Sequence, residues 1–195
     1  ACVSVHGANR LGTNSLVDIV VFGSRGGRQL AGWAMKNDWV KIPARPEEPS
    51  LAMLGKLTSN LGGESAVRIR HEMQHAMMDH VSVFRTEAGL KQALATLSEL
   101  RSRFQRLEVQ DRSLQFNTEL EEALELGCLL DLAWVTAVAA LARQESRGAH
   151  YREDFPNRDD ANWLKHSLAT LKNGAVELSS KPVTITRLQP QERKY

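Results

Sequence analysis

Arg10 stands between two glycines, Gly7 and Gly12, just ahead of Thr13-Asn14-Ser15 and an apolar run that reaches Phe22. A guanidinium is a planar fork of donors suited to a carboxylate or a phosphate. Glycines on either side let backbone approach a ligand more closely than other residues allow. Asn14 or Ser15 can cap a helix, and Ser15 with Asp18 three places on has the spacing of a capping box. A helix that starts there aims unpaired N–H groups and the positive end of its dipole at whatever lies in front. The stretch reads as an anion or cofactor mouth, with a plain loop-to-helix junction as the duller alternative.

Other residues could also do chemistry. His71-Glu72-Met73-Gln74-His75 is a literal H-E-x-x-H, the spacing at which two histidines share a zinc ion and the glutamate acts as base. The third ligand is missing: His80 comes nine places after His71, about 180° away on a continuous helix of ~100° steps. Both histidines also lie two places beyond core positions, Ile69 and Met73, so they face away from the core, and no zinc is expected. Cys2 and Cys128 have no paired spacing and read as inert buried thiols in a reduced compartment. Trp33, Trp39, Trp134 and Trp163 are scattered, without the basic interleaving of a single-strand nucleic-acid platform. His6 and His150 each neighbour a glycine and an arginine; His150 reads as a surface or supporting residue, whereas His6 could touch a ligand. Asp159-Asp160 could begin a metal site, but the arginines and lysines around it favour an ion-pair network.

These residues need elements to hold them. The chain has 195 residues, 25 Lys+Arg against 23 Asp+Glu and a net charge of +2, which gives no case for nucleic acid or acidic lipid as a partner. Leu16, Val20, Gly23, Gly27, Leu30 and Ala34 recur at helical steps, and their glycines would let a helix lie close against a sheet. Val17, Ile19, Val20 and Val21 favour a strand instead, so a strand over 17–22 stays open. Residues 37–63 read as a connector with three prolines, an apolar patch around Leu51–Leu57 and then Gly62-Gly63.

Three amphipathic helices follow. The first carries Ala66, Ile69, Met73, Met77, Val81 and Phe84. The second carries Leu90, Leu94, Leu97, Leu100, Phe104 and Leu107. The third, capped by Thr118 with Glu121, carries Leu120, Leu124, Leu130, Trp134, Ala137 and Leu141. Short joints at 85–89 and 110–117 predict an antiparallel three-helix bundle. The third helix falls short of the ~20 apolar residues of a bilayer span and contains Asp131, so it is expected inside the bundle. From Glu145, opposite charges alternate around aromatics, as in a segment tied over a surface by ion pairs. Pro182–Thr186 alternates like a short strand, and a polar tail closes the chain.

The run from Cys2 to Gly23, which contains His6-Gly7-Ala8-Asn9-Arg10-Leu11-Gly12-Thr13-Asn14-Ser15-Leu16-Val17-Asp18, resembles the last flavin-binding segment of the succinate dehydrogenase flavoprotein subunit. A second match is Glu145-Ser146-Arg147-Gly148-Ala149-His150-Tyr151-Arg152-Glu153-Asp154-Phe155-Pro156, with Arg158-Asp159-Asp160, Trp163-Leu164-Lys165-His166 and Glu192-Arg193-Lys194-Tyr195. The resemblance covers essentially the whole chain but only the C-terminal third or so of the family's length. It favours the helix over the strand at 17–22.

The resemblance implies a mainly α chain. Residues 1–46 would be the closing segment of an FAD-binding α/β domain, 47–144 a three-helix bundle domain, and 145–195 a small mixed tail on the flavoprotein surface. It gives Arg10 a carboxylate of succinate or fumarate, Thr13 a place in the same pocket, and Ser15 and Leu16 the edge of the flavin ring. Thr13 departs from the commoner glycine or alanine. The glycine-rich adenosine motif, the histidine bonded covalently to FAD, and the mobile cap that supplies the proton-shuttling arginine would lie outside this sequence, so no residue here is the acid–base catalyst.

The implied activity is oxidation of succinate to fumarate, with electrons passed to an iron–sulfur subunit and then to quinone through membrane anchor subunits. The place implied is the cytoplasmic face of a bacterial membrane, peripherally bound beside the remainder of the flavoprotein. Fumarate reductase and L-aspartate oxidase are the rivals within the group, and a catalytically silent helical interaction module is the rival outside it. A start at Ala1, inside a motif, suggests a fragment. Such a fragment is expected to fold through its bundle without holding covalent flavin or oxidising succinate.

Overall fold

The structure is a computed structural model, and it describes residues 5–187 and 189–191. Cys2 and the closing Glu192–Tyr195 lie outside the described residues. The chain divides into two compact units, residues 1–59 and 60–195.

In the first unit, α1 runs from Asn14 to Ala34, so the strand alternative is excluded. The helical recurrence outweighs the β-branched propensity of Val17–Val21, as a weak local preference allows. No residue of α1 is buried, and Leu16, Val20 and Leu30 are each about 70% exposed. The connector contains a second helix that the prolines obscured, α2, Glu48–Ser59. Pro49 sits in its first turn, where its missing N–H costs nothing.

The second unit is a bundle of α3 (Ala66–His80), α4 (Glu87–Phe104) and α5 (Thr118–Ala142), which all pack on one another. Its core is formed by Ile69 and Met73 of α3, Leu90, Ala93, Leu97 and Leu100 of α4, and Leu120, Ala123, Leu126, Leu130 and Ala137 of α5. Most of the expected stripes are buried or half-buried. Phe84 is an exception at 65% exposed, because α3 has already ended and its ring meets Tyr151 edge-on instead. At the opposite end of the bundle, a Cβ on Gly63 would lie 1.9 Å from the Arg106 carbonyl oxygen, so only glycine lets these strands of chain meet.

Three local expectations are corrected. The α5 cap is Asn117, whose side chain accepts from the Leu120 N–H at 2.8 Å, not Thr118 with Glu121; the Glu119 carboxylate instead holds the Gln110 and Asp111 amides. At 25 residues, α5 is long and apolar enough to cross a membrane by length and composition. Its stripe nevertheless packs on α3 and α4, and Asp131 is paired with Arg101 at 2.9 Å. Cys128 is exposed, not buried, because it lies off the Leu126–Leu130 stripe.

After a short helix α6 (Asp160–Trp163), the hairpin of β1 (Lys165–Lys172) and β2 (Ala175–Pro182) closes the unit. Asn173 and Gly174 form its turn with φ of 49° and 80°, the conformation a two-residue hairpin demands. That turn fixes the register, so Pro182 ends the ladder opposite Lys165 and the expected strand over 182–186 is not formed.

Candidate functional site

Two polar constellations stand out, one at the start of α1 and one at the end of the bundle. At the first, the residue before α1 is Thr13, with φ +66° and no side-chain cap bond. A left-handed residue cannot take the extended geometry of an N-cap, and the Thr13 hydroxyl donates to the Gly12 carbonyl at 2.6 Å. The expected capping by Asn14 or Ser15 with Asp18 is therefore not formed. Ser15 Oγ accepts instead from Arg10 Nη1 at 3.3 Å, and Asp18 Oδ2 lies 2.8 Å from His6 Nε2. Among the described residues, no side chain accepts from the first-turn N–H groups of α1.

Arg10 is exposed, and among the described residues its Nη1 makes long bonds, to Ser15 and to the Leu11 carbonyl at 3.5 Å. Among the described residues, nothing lies within 4 Å of a Cβ built on Gly7 or Gly12. An exposed guanidinium, an uncapped helix start and open backbone on one side of a loop can receive an anionic group and the electron-rich edge of a ring. Of the expected site residues, Arg10, Thr13 and Ser15 are brought together here. The Leu16 side chain is 70% exposed beside them, while its N–H is occupied by the Thr13 carbonyl at 3.2 Å.

The second constellation was read from sequence only as a surface tied down by charges, and its buried members were missed. Arg152 and Glu145 are fully buried. Arg152 grips Asp154 with two bonds of 2.7 Å and gives Nη1 to the Ala140 and Leu141 carbonyls at 3.0 Å, closing the C-terminus of α5. Asp154 also accepts from the Glu87 N–H, the first of α4, at 2.8 Å. Its carboxyl is held down to about 2, chiefly by Arg152. Burial pushes the Glu145 carboxyl up, but Arg147, the Asp159 amide and Arg143 outweigh it, and the net shift is downward.

His150 accepts at Nδ1 from Arg85 at 2.9 Å, since a guanidinium has only donors, and its Nε2–H faces the Arg143 carbonyl at 3.2 Å. Burial, and the surrounding charges of Arg85, Arg143 and Arg152, hold its pKa down. Asp160 pairs with Arg147 and Arg158, and Asp159 caps α6. Every one of these bonds fastens chain to chain, leaving this constellation structural. The signal that could have found it was the density of arginine–carboxylate alternation directly after the last apolar helix.

His71 and His75 are exposed on α3, with ring centroids 5.1 Å apart. Glu72 is gripped by Arg103 and Arg68, and its carboxyl is held down to about 2, chiefly by Arg103, so it is committed to that pair and unsuited to act as a base. Among the described residues, no three His, Cys, Asp or Glu side chains are placed to hold a metal ion.

A profile described as the fumarate reductase flavoprotein C-terminal family matches residues 70–195. The chain belongs to the succinate dehydrogenase and fumarate reductase flavoprotein family. Within that family it is 44% identical over 200 residues to the succinate dehydrogenase flavoprotein subunit of Rickettsia bellii, covering 98% of this chain and 32% of that protein. It is 40% identical over 198 residues to the fumarate reductase flavoprotein subunit of Haemophilus influenzae, covering all of this chain and 33% of that protein. Among solved structures, a chain of E. coli quinol fumarate reductase superposes with a TM-score of 0.88 at 40% identity, over 96% of this chain and 33% of that one. The chain therefore spans about a third of the length of the relatives it matches.

Proposed function

We propose that this chain is the C-terminal part of the flavoprotein subunit of a succinate dehydrogenase, and that the start of α1 forms one wall of its FAD and dicarboxylate site. The observation that carries this reading is Arg10, exposed and bonded to Ser15 at 3.3 Å beside an uncapped helix N-terminus. FAD, with its ring edge at Ser15 and Leu16, would supply the hydride acceptor for the carbon next to the carboxylate of a bound dicarboxylate. Arg10 binds that carboxylate and orients the dicarboxylate. Thr13 lines the same pocket through its backbone, and Ser15 and Leu16 lie at the edge where the flavin ring rests. The acid–base group and the covalent FAD attachment belong to the rest of the flavoprotein.

Residues 1–46 then are the closing segment of the FAD-binding domain, residues 47–144 are the three-helix bundle domain, and residues 145–195 are a tail on the flavoprotein surface. The assembled subunit works with an iron–sulfur subunit and membrane anchors, peripherally at the cytoplasmic face of a bacterial membrane. The likeness to fumarate reductase flavoproteins supports the reverse reaction at the same site equally well. In the complete enzyme, Arg10→Ala is expected to lower succinate turnover at least ~100-fold, since a charge-assisted pair is lost from a site closed to water. Near wild-type turnover by that variant would refute the substrate-binding role.

A further inference from the structure

Arg10 is only as well placed as the loop that bears it. Loop 7–13 has left-handed backbone at both ends, Gly7 at φ +61° and Thr13 at φ +66°, and its residues are exposed throughout. Directly before it, His6 Nε2 lies 2.8 Å from Asp18 Oδ2, a contact between residues 12 apart in sequence. Asp18 stands on α1 one helical step beyond Ser15, the residue that Arg10 reaches. The two side chains are only 14% and 24% exposed, whereas Leu16, Val17 and Ile19 around Asp18 are each more than 60% exposed. The loop is therefore held at its entrance by His6–Asp18 and at its middle by Arg10–Ser15.

We infer that His6 and Asp18 form a clasp that sets the position of Arg10, acting as positioning residues for the dicarboxylate and not as its ligands. The inference rests on the reading of Arg10 given above. His6 is turned onto Asp18, so its Nε2 is committed within the loop and is not available to a substrate. A bidentate guanidinium–carboxylate contact needs its partners within roughly 0.5 Å of the productive geometry. A loop with two left-handed residues is held to that tolerance by its ties to the helix that follows it. Releasing the tie lets the guanidinium wander while leaving the helix start, and the ring edge it faces, in place. The clasp should thus affect dicarboxylate binding and spare flavin content.

The test uses the complete flavoprotein in its assembled enzyme, with His6→Gln, Asp18→Asn, the double variant and Arg10→Ala. Malonate is the probe, a dicarboxylate with no CH2–CH2 bond to oxidise, and its affinity is read from the change it causes in flavin absorbance. Flavin content and thermal midpoint are measured on the same samples. Each single variant should weaken malonate about 10-fold and raise the KM for succinate similarly, at unchanged flavin content and midpoint. The double variant should be no worse than the weaker single one, because both remove one tie. Wild-type malonate affinity in His6→Gln and Asp18→Asn, alongside a large loss in Arg10→Ala, would overturn the clasp alone. Additive losses in the double variant, or losses that follow falling flavin content, would also overturn it. Unimpaired malonate binding by Arg10→Ala would overturn the underlying reading of Arg10.

Discussion

α1 and α5 are the two longest helices of the chain, both rich in apolar side chains, and they are treated in opposite ways. α5 places a leucine or alanine on one face every three or four residues and buries seven of them, Leu120 to Ala140, against its neighbours. α1 repeats Leu16, Val20, Gly23, Gly27, Leu30 and Ala34 at the same helical steps and buries none. Its partly sheltered residues, Ser15, Asp18, Phe22 and Gly26, lie on a different face from that row. Periodicity thus tells which face of a helix is made to be covered, but not what covers it. The bundle carries its own cover within residues 60–195, and one of its ends is fastened by buried charge. α1 instead has small residues that invite close approach, a polar loop at one end, and its apolar row in the open.

The largest test of this contrast is Arg152→Ala. It strands the Asp154 carboxylate and uncovers the last carbonyls of α5, and it should cost about 3–5 kcal/mol, the usual penalty for breaking a buried pair. Urea unfolding monitored by helical circular dichroism would show it, and a loss under 1 kcal/mol would mean that the charged end of the bundle is as dispensable as α1.

Acid should act on the same end, and on the Glu72–Arg103 pair away from it. His150 has a folded pKa below its unfolded value, so between those two values the unfolded chain holds more protons. Its contribution is fully present above the unfolded value near 6.5 and falls away as pH drops from there toward the folded value. Glu72 and Asp154, both held at about 2, then lose their contribution as pH falls from the ordinary carboxylate range through about 2. Stability measured from pH 8 to 3 should therefore decline in two stages, and His150→Gln should remove the first. A variant that keeps both stages would show that another group is responsible for the upper one.

In α1 the expected effects are small. Thr13→Gly should stabilise by about 1 kcal/mol or less, because a β-branched residue at φ +66° carries strain that glycine lacks, offset in part by glycine's greater freedom when unfolded. Val20→Ser, at a side chain 71% exposed, should move the urea midpoint of this chain by no more than about 0.5 kcal/mol equivalent. A loss of 2 kcal/mol there would show that the row is covered within this chain, and the contrast with α5 would fall.

Helical spacing made the bundle legible, because Ile69–Met73, Leu90–Leu97–Leu100 and Leu120–Leu130–Ala137 each mark one buried face. Features set by backbone rather than by period were not legible. Three prolines concealed α2, although Pro49 is well tolerated in a first helical turn. The Asn173-Gly174 turn was readable as a hairpin signal, and overlooking it moved the expected strand to 182–186. At the start of α1, side-chain types suggested a capping box, but the left-handed Thr13 redirected Ser15 to Arg10 and left Asp18 to His6. Sequence could place those residues near one another, whereas only the fold shows which partner each one takes.

Chain order gives the grip of Arg152 a kinetic consequence. α3, α4 and α5 are contiguous and joined by short connections, so their faces can meet as soon as α5 has been made. The donor that closes the end of α5 arrives about ten residues later, together with Asp154, which reaches back to the first turn of α4. The last turn of α5 should therefore fray until the tail docks, and docking should fall on the native side of the folding barrier. Weakening Arg152 would then speed unfolding and leave the folding rate nearly unchanged, the pattern of a low φ-value. In that event the arginine acts as a bolt, governing how long the bundle stays closed and not how quickly it forms.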